Sequence, residues 1–182
     1  MTSPWRNRGL GLVLAAAIFA ADQWSKWLVT GPLGLTRIGD TRDLLPFFDL
    51  TLTHNLGVSL GMFEASSVEM RWALVAVTAV IALVVLVWLL RERKGWDIVP
   101  LALILGGALG NIRDRFTLGY VIDFADFHIG DFRPFLIFNV ADAAITIGVL
   151  IILARALFMR EKPPAPQGDD QADPPAETSS NA

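Results

Sequence analysis

Two aspartates, Asp123 and Asp142, offer acid–base chemistry at positions a plain membrane span would not keep. Asp142 falls inside the apolar run Phe135 to Ala154. Asp123 lies in Gly119-Tyr120-Val121-Ile122-Asp123-Phe124, just past the apolar run Ile98 to Ile112. An ionisable side chain at membrane depth is costly and marks function by default. Two carboxyls held close cannot both ionise cheaply, so one keeps a proton and the pair titrates as a unit. The ionised member can take a proton from water while the protonated one donates to a carbonyl oxygen. That is aspartic-peptidase chemistry, which needs no metal and no covalent intermediate. The competing reading is two unrelated polar residues, one capping a loop and one hydrogen-bonded inside a bundle. Spacing alone leaves both readings open.

Other polar residues gather near this pair in the chain. Asn111, Asp114 and Arg115 are spaced i, i+3 and i, i+4, so they share one side of a helix and are expected to brace a buried site. Asn139 precedes Asp142 by three residues. His54-Asn55-Leu56-Gly57 supplies a side-chain amide that both donates and accepts. Asn55 and Gly57 suit a turn equally well, and His54 is expected at an interface rather than as a ligand. Asp22 and Lys26 stand at i, i+4 with the acid first, the favourable order for an ion pair closing the outer end of a helix. Gly106-Gly107-Ala108-Leu109-Gly110 is a small-residue face that lets helices approach closely in a membrane.

The elements that must position these residues are membrane spans. The chain is 53% hydrophobic with mean hydropathy +0.49. That composition fits an integral membrane protein better than a soluble domain. A net charge of -3 without a basic stripe excludes nucleic acid as an expected partner. The absence of cysteine removes disulfides, thiolate metal sites and a cysteine nucleophile. With two histidines, His54 and His128, neither a metal site nor a cofactor is expected. Four spans are predicted, at about residues 9–29, 72–90, 98–115 and 135–156. Helices are favoured over strands because open strands leave backbone groups unpaired in lipid. The first run has the look of a signal peptide, but the polar patch Asp22-Gln23-Trp24-Ser25-Lys26 and the apolar residues after it argue for a retained span.

Arg6 and Arg8, then Arg91, Arg93 and Lys94, then Arg155, Arg160 and Lys162 fall on one side of a four-span chain, so both termini are predicted to be cytoplasmic. Segments 31–71 and 116–134 are then extracytoplasmic. The alternation in Asp49-Leu50-Thr51-Leu52-Thr53-His54 predicts a small β-sheet lying on the membrane surface. The segment Phe116 to Pro134 reads as amphipathic. Residues 163–182 are polar and Pro-rich and are expected to be a disordered cytoplasmic tail. Counting from Phe135, Asp142 would sit roughly 10 Å of helix rise below the outer boundary.

Taken in order, these stretches resemble lipoprotein signal peptidase, the signal peptidase II of bacteria. The resemblance runs from the first span to the fourth. It rests on Asp22-Gln23-Trp24-Ser25-Lys26, Asn55-Leu56-Gly57, Gly106 to Arg115, Gly119 to Phe124, and Phe138-Asn139-Val140-Ala141-Asp142-Ala143-Ala144-Ile145. It implies that Asp123 and Asp142 are the catalytic dyad. It implies that Asn55, Asn111, Arg115 and Asn139 line or support the site; Gly57 is counted with them, and Asp22, Lys26 and Asp114 are read from their spacing as structural. The implied substrates are prolipoproteins carrying a diacylglyceryl-modified cysteine, cut on its amino side at the bacterial cytoplasmic (inner) membrane. The expected partners are these substrates and membrane lipid, around a monomer with no cofactor. One departure is Val58-Ser59-Leu60, where such proteins usually have a small residue and then an aromatic.

A proton-coupled transporter or channel subunit is the rival from another class. It predicts ionisable residues staged through the bilayer. The second span has none, and the polar residues of the other spans gather toward one face. A non-catalytic scaffold gives no reason for Asp142, and the Gly-x-Gly-Asp signature of another kind of intramembrane aspartyl protease is absent.

Overall fold

A helix that crosses about 30 Å of hydrocarbon needs some 20 residues at about 1.5 Å each. The computed structural model, which describes residues 4–57, 68–93 and 95–158, contains four such helices. They are α1 (Pro4–Thr30), α2 (Val68–Arg91), α3 (Gly95–Thr117) and α4 (Val140–Phe158). Between them lie the strands β1 (Thr41–Leu45), β2 (Phe48–Asn55) and β3 (Val121–Phe127), forming one antiparallel sheet in the order β1-β2-β3. The expected class, a four-span helical membrane protein with a small sheet, is the one found.

The helix α3 is the hub. Its small residues let neighbours come close. A Cβ on Gly106 would fall 2.5 Å from the Ala15 carbonyl oxygen of α1, and one on Gly107 2.5 Å from the Ala141 carbonyl oxygen of α4. The opposite flank of α3 packs on α2, where Leu89 is fully buried among Ala15, Ala82, Leu101, Ala102 and Leu105. A second core, of Val29, Leu35, Leu50, Leu52, Phe124 and Ala125, joins the sheet to the end of α1.

Two expectations are corrected. The fourth span does not begin at Phe135: residues 135–139 are not helical, and α4 starts at Val140. Hydropathy cannot distinguish an apolar strand-like approach from an apolar helix. Here Phe138 exchanges backbone hydrogen bonds with Ala125 of β3 (2.7 and 3.1 Å). Asp142 therefore sits on the first turn of α4. The depth of roughly 10 Å of helix rise counted from Phe135 does not hold. The second correction concerns the segment 116–134. Its middle is not a surface stretch: it supplies β3, whose residues Val121, Asp123, Phe124, Ala125 and Asp126 are buried, while residues 116–118 and 129–134 on either side are exposed. The Val58-Ser59-Leu60 departure and the tail 163–182 lie outside the described residues.

Candidate active site

Helix α4 begins with a reciprocal cap. Asn139 is the N-cap: its carbonyl oxygen accepts from Ala143 N–H (3.1 Å), and its Oδ1 accepts from Asp142 N–H (2.9 Å). The Asp142 carboxylate reaches back, its Oδ2 accepting from Asn139 N–H (3.3 Å). Asp142 thus occupies the third helical position of a capping box, with an aspartate in the place usual for glutamate or glutamine. Its other oxygen, Oδ1, accepts from Asn111 Nδ2 of α3 (2.8 Å).

Because Asn139 spends its oxygen on the cap, its amide group is free to donate. Nδ2 reaches Asp123 Oδ1 at 2.6 Å, with the Asn111 Oδ1 and Ile122 carbonyl oxygens at 3.3 and 3.2 Å. The second Asp123 oxygen, Oδ2, accepts from Asn55 Nδ2 (3.0 Å). Asn55 both closes a turn and reaches the site, as an amide that donates and accepts can. Its Oδ1 accepts from Gly57 N–H (2.8 Å), while its amide group faces Asp123. Gly57 adopts φ of 90°, a conformation that disfavours a side chain. A Cβ there would collide with Leu74 and lie 3.6 Å from Arg115 Nη2.

The pairing of β2 with β3 sets Thr53 opposite Asp123. The Phe138–Ala125 bridge then carries the chain back alongside, so two aspartates far apart in sequence come to share one asparagine. Asp123 is 1% exposed, whereas Asp142 is only half-buried. Burial and, after it, the charge of Asp142 push the Asp123 carboxyl up to about 6, against the pull of the amides of Asn55 and Asn139 and the Lys26 cation. Arg115 feels the charges of Asp142, Asp123 and Asp114, and its Nε is a buried donor without a hydrogen-bond partner among the described residues. Beside Asp142 runs an apolar groove of about 310 Å³ lined by Phe135, Leu136, Phe138, Ala143, Thr146 and Ile147.

Beneath the carboxyls lies a buried ionic cluster that sequence spacing shows only in part. Lys26 is 2.8 Å from Asp22 Oδ2, as the i, i+4 spacing predicts, and also 2.7 Å from Asp114 Oδ2 of α3. Exposure of these three side chains is between 0 and 3%. The pair does not merely close the end of α1; it joins three helices, because Asp22 Oδ1 accepts from Ala141 N–H of α4 (3.0 Å). Gln23, to which the sequence assigns no role, donates to Asp22 (3.0 Å) and Asp114 (3.1 Å) and accepts from Arg113. Asp126, in sequence one of several acids of an amphipathic stretch, is buried against Thr51 and Arg133, where it pins the loop after β3. The signal that could find it is its place on the buried strand, three residues after Asp123. His54 stacks on Tyr120 with ring centroids 3.7 Å apart.

Residues 14–158 match the family model described as signal peptidase (SPase) II. The chain belongs to the signal peptidase II family. It is 57% identical over 152 residues to the lipoprotein signal peptidase of Sphingopyxis alaskensis, covering 84% of this chain and 87% of that one. It is 53% identical over 164 residues to that of Rhizorhabdus wittichii, covering 90% and 95%. A bacterial membrane enzyme solved by the in meso method at 1.9 Å is similar in structure, with TM-score 0.71, 29% identity, and coverage of 84% of this chain and 95% of that one. Family membership makes this chain a multi-span membrane protease of lipoprotein processing.

Proposed function

We propose that this signal peptidase II is an aspartic endopeptidase whose reacting pair is Asp123 and Asp142. It releases the signal peptide from diacylglyceryl-modified prolipoproteins on the amino side of the lipidated cysteine. The observation that carries this reading is the shared asparagine: Asn139 caps α4 through Asp142 and donates to Asp123, so one residue holds both carboxyls in one frame. A buried carboxyl raised to about 6 beside a second, half-exposed one supports a pair in which Asp123 keeps its proton up to about pH 6.

The reaction is a hydrolysis. The ionised carboxylate takes a proton from water as its oxygen attacks the scissile carbonyl carbon, and the protonated carboxyl donates to the carbonyl oxygen. The tetrahedral diol then collapses: the carboxyl that took the water proton gives it to the nitrogen, the other carboxylate takes back a hydroxyl proton, the carbon–nitrogen bond breaks, and the signal peptide leaves as a carboxylic acid and the cysteine with a free amine. The Nε of Arg115, unpartnered among the described residues, leaves a buried cationic donor near both carboxyls, with Gly57 packed beside its guanidinium. Both carboxyls lie at the end of the bundle where the sheet covers it, opposite the end rich in Arg8, Arg91 and Arg155. The clusters at that opposite end favour an extracytoplasmic sheet end, although Arg37, Arg42, Arg113, Arg115 and Arg133 lie on the sheet side. A substrate anchored there by its signal helix and acyl chains presents its scissile bond at the membrane boundary, and the apolar groove beside Asp142 suits such a chain.

The test is cleavage of a purified prolipoprotein with and without its diacylglyceryl group. Release of the signal peptide is expected from the lipidated form, and equal rates for the two forms would refute the substrate assignment.

A further inference from the structure

The buried lysine has a reach that its ion pair with Asp22 does not explain. An ammonium carries three N–H bonds. Lys26 finds three acceptors for them: Asp22 Oδ2 at 2.8 Å, Asp114 Oδ2 at 2.7 Å and Asn111 Oδ1 at 3.5 Å. Each acceptor belongs to a side chain that grips the site. Asp22, through Oδ1, takes the N–H of Ala141, the residue before Asp142. Asp114, through Oδ2, takes the N–H of Ile122, the residue before Asp123 (3.4 Å). Asn111, its oxygen occupied by Lys26 and Asn139, turns its amide group to Asp142 Oδ1. One cation on α1 therefore holds the two carboxylates that fix the backbone on the amino side of both reacting residues, and also the amide that orients one of them.

We infer that Lys26 is a positioning residue for the reaction, a clamp that sets the spacing of Asp123 and Asp142. This rests on the reading of those two residues as the reacting pair. Space has been cleared for the clamp, since a Cβ on Gly110 would collide with Asp22 Oδ2. Lys26 does not touch the reacting atoms. It acts through strand β3 on one side and through the first turn of α4 on the other. The charged groups that bear on Asp123 are Asp142 from α4, Arg115 from α3 and Lys26 from α1. Loss of the Lys26 cation should therefore raise the proton affinity of Asp123 as well as loosen its frame.

Two variants test the clamp. Lys26→Met leaves Asp22 and Asp114 facing each other uncompensated, which threatens the fold. Lys26→Met/Asp114→Asn keeps the cluster's formal charge at -1, as in the native set of two carboxylates and one ammonium, and leaves Asp22 on the α4 cap. Helicity, thermal unfolding in detergent, KM and kcat for a lipidated precursor, and the pH–rate profile are measured, with Asp142→Asn alongside. For the double variant we expect a folded protein with KM within about threefold of the parent. Its kcat should fall by about 10- to 100-fold, since misplacement on the ångström scale costs that much. The alkaline limb of its pH–rate profile should move to higher pH, because Asp123 is the member that must keep its proton. An unchanged kcat and pH–rate profile would overturn the clamp. So would kcat and KM that change only in proportion to the folded fraction, or a failure of both variants to fold, because each assigns the cluster to scaffolding alone. Cleavage by Asp142→Asn would instead sink the reacting pair itself, whereas an inert Asp142→Asn beside a parent-like double variant sinks only the clamp.

Discussion

Helices α2 and α3 have nearly the same length, 24 and 23 residues, and neither could be mistaken for anything but a span. Their places in the molecule are opposite. α2 buries only Ala82, Val85 and Leu89 and leaves Val80, Val84 and Trp88 toward lipid, as a helix apolar all round can in a membrane. α3 buries ten residues, among them three glycines, Asn111 and Asp114, and touches every other helix. Lipid is as apolar as leucine, so hydrophobicity says that a helix is in the membrane but not where. Close approach and buried hydrogen bonds decide its position. The proposed reacting pair sits where the hub helix turns polar.

The widest separation between hub and satellite should appear at the carboxyls that α3 braces. Asp123→Asn and Asp142→Asn should each lower cleavage by several orders of magnitude while the protein remains folded and binds lipidated precursor. The double variant should be barely worse than either single one, since groups acting as a unit are not additive. Single-turnover cleavage on all three variants checks this, and independent, additive losses would show two unrelated roles.

A subtler substitution on α3 should still be felt. Gly110→Ala drives a methyl group into Asp22 Oδ2, where neither the buried carboxylate nor the backbone can yield cheaply. Overpacking of this kind costs about 1–3 kcal/mol, so both the unfolding temperature and kcat should fall. Val84→Ala, on the exposed lipid side of α2, should leave both within error. Equal effects of the two changes would erase the distinction between the helices.

The next effect is a pH dependence. Asp123 carries a folded-state value of about 6 against an ordinary 3.8. A raised carboxyl binds its proton more tightly in the folded state, so its stabilising contribution is complete below pH 3.8 and is lost as pH rises through about 6. Asp123→Asn should therefore flatten the pH dependence of the unfolding temperature in that window. Its absolute stability gain will be partly offset, because an asparagine cannot accept from both Asn55 and Asn139. A parent-like slope in the variant would assign the titration to another group. The smallest effect is expected from deleting residues 163–182, which should leave cleavage within about twofold because such termini bury little.

Much of this is legible in the chain. The spans follow from apolar length, and Asn111, Asp114 and Arg115 declare a shared face by their spacing. What stays hidden is mostly non-local. The i, i+4 spacing of Asp22 and Lys26 names one partner but cannot show Asp114 or the N–H of Ala141, which belong to other helices. The start of α4 is obscured by Phe135-Leu136-Ile137-Phe138, apolar enough to pass for the first turn of a span. The correcting signal is present in Asn139-Val140-Ala141-Asp142, which has the form of a capping box. β3 escapes pattern reading because a strand buried on both faces does not alternate.

The cap of α4 has a consequence for when this protease becomes dangerous to its surroundings. Asp142 secures the first turn of a helix and Asn139 tethers the opposing carboxyl, so unwinding a single turn would dismantle both halves of the proposed pair together. On the proposed reading, a chain still threading into the bilayer, or one damaged by heat, would be disarmed before it is unfolded. In a thermal ramp, cleavage should end no later than the first loss of helical signal, and activity that outlasts that loss would contradict this built-in safety catch.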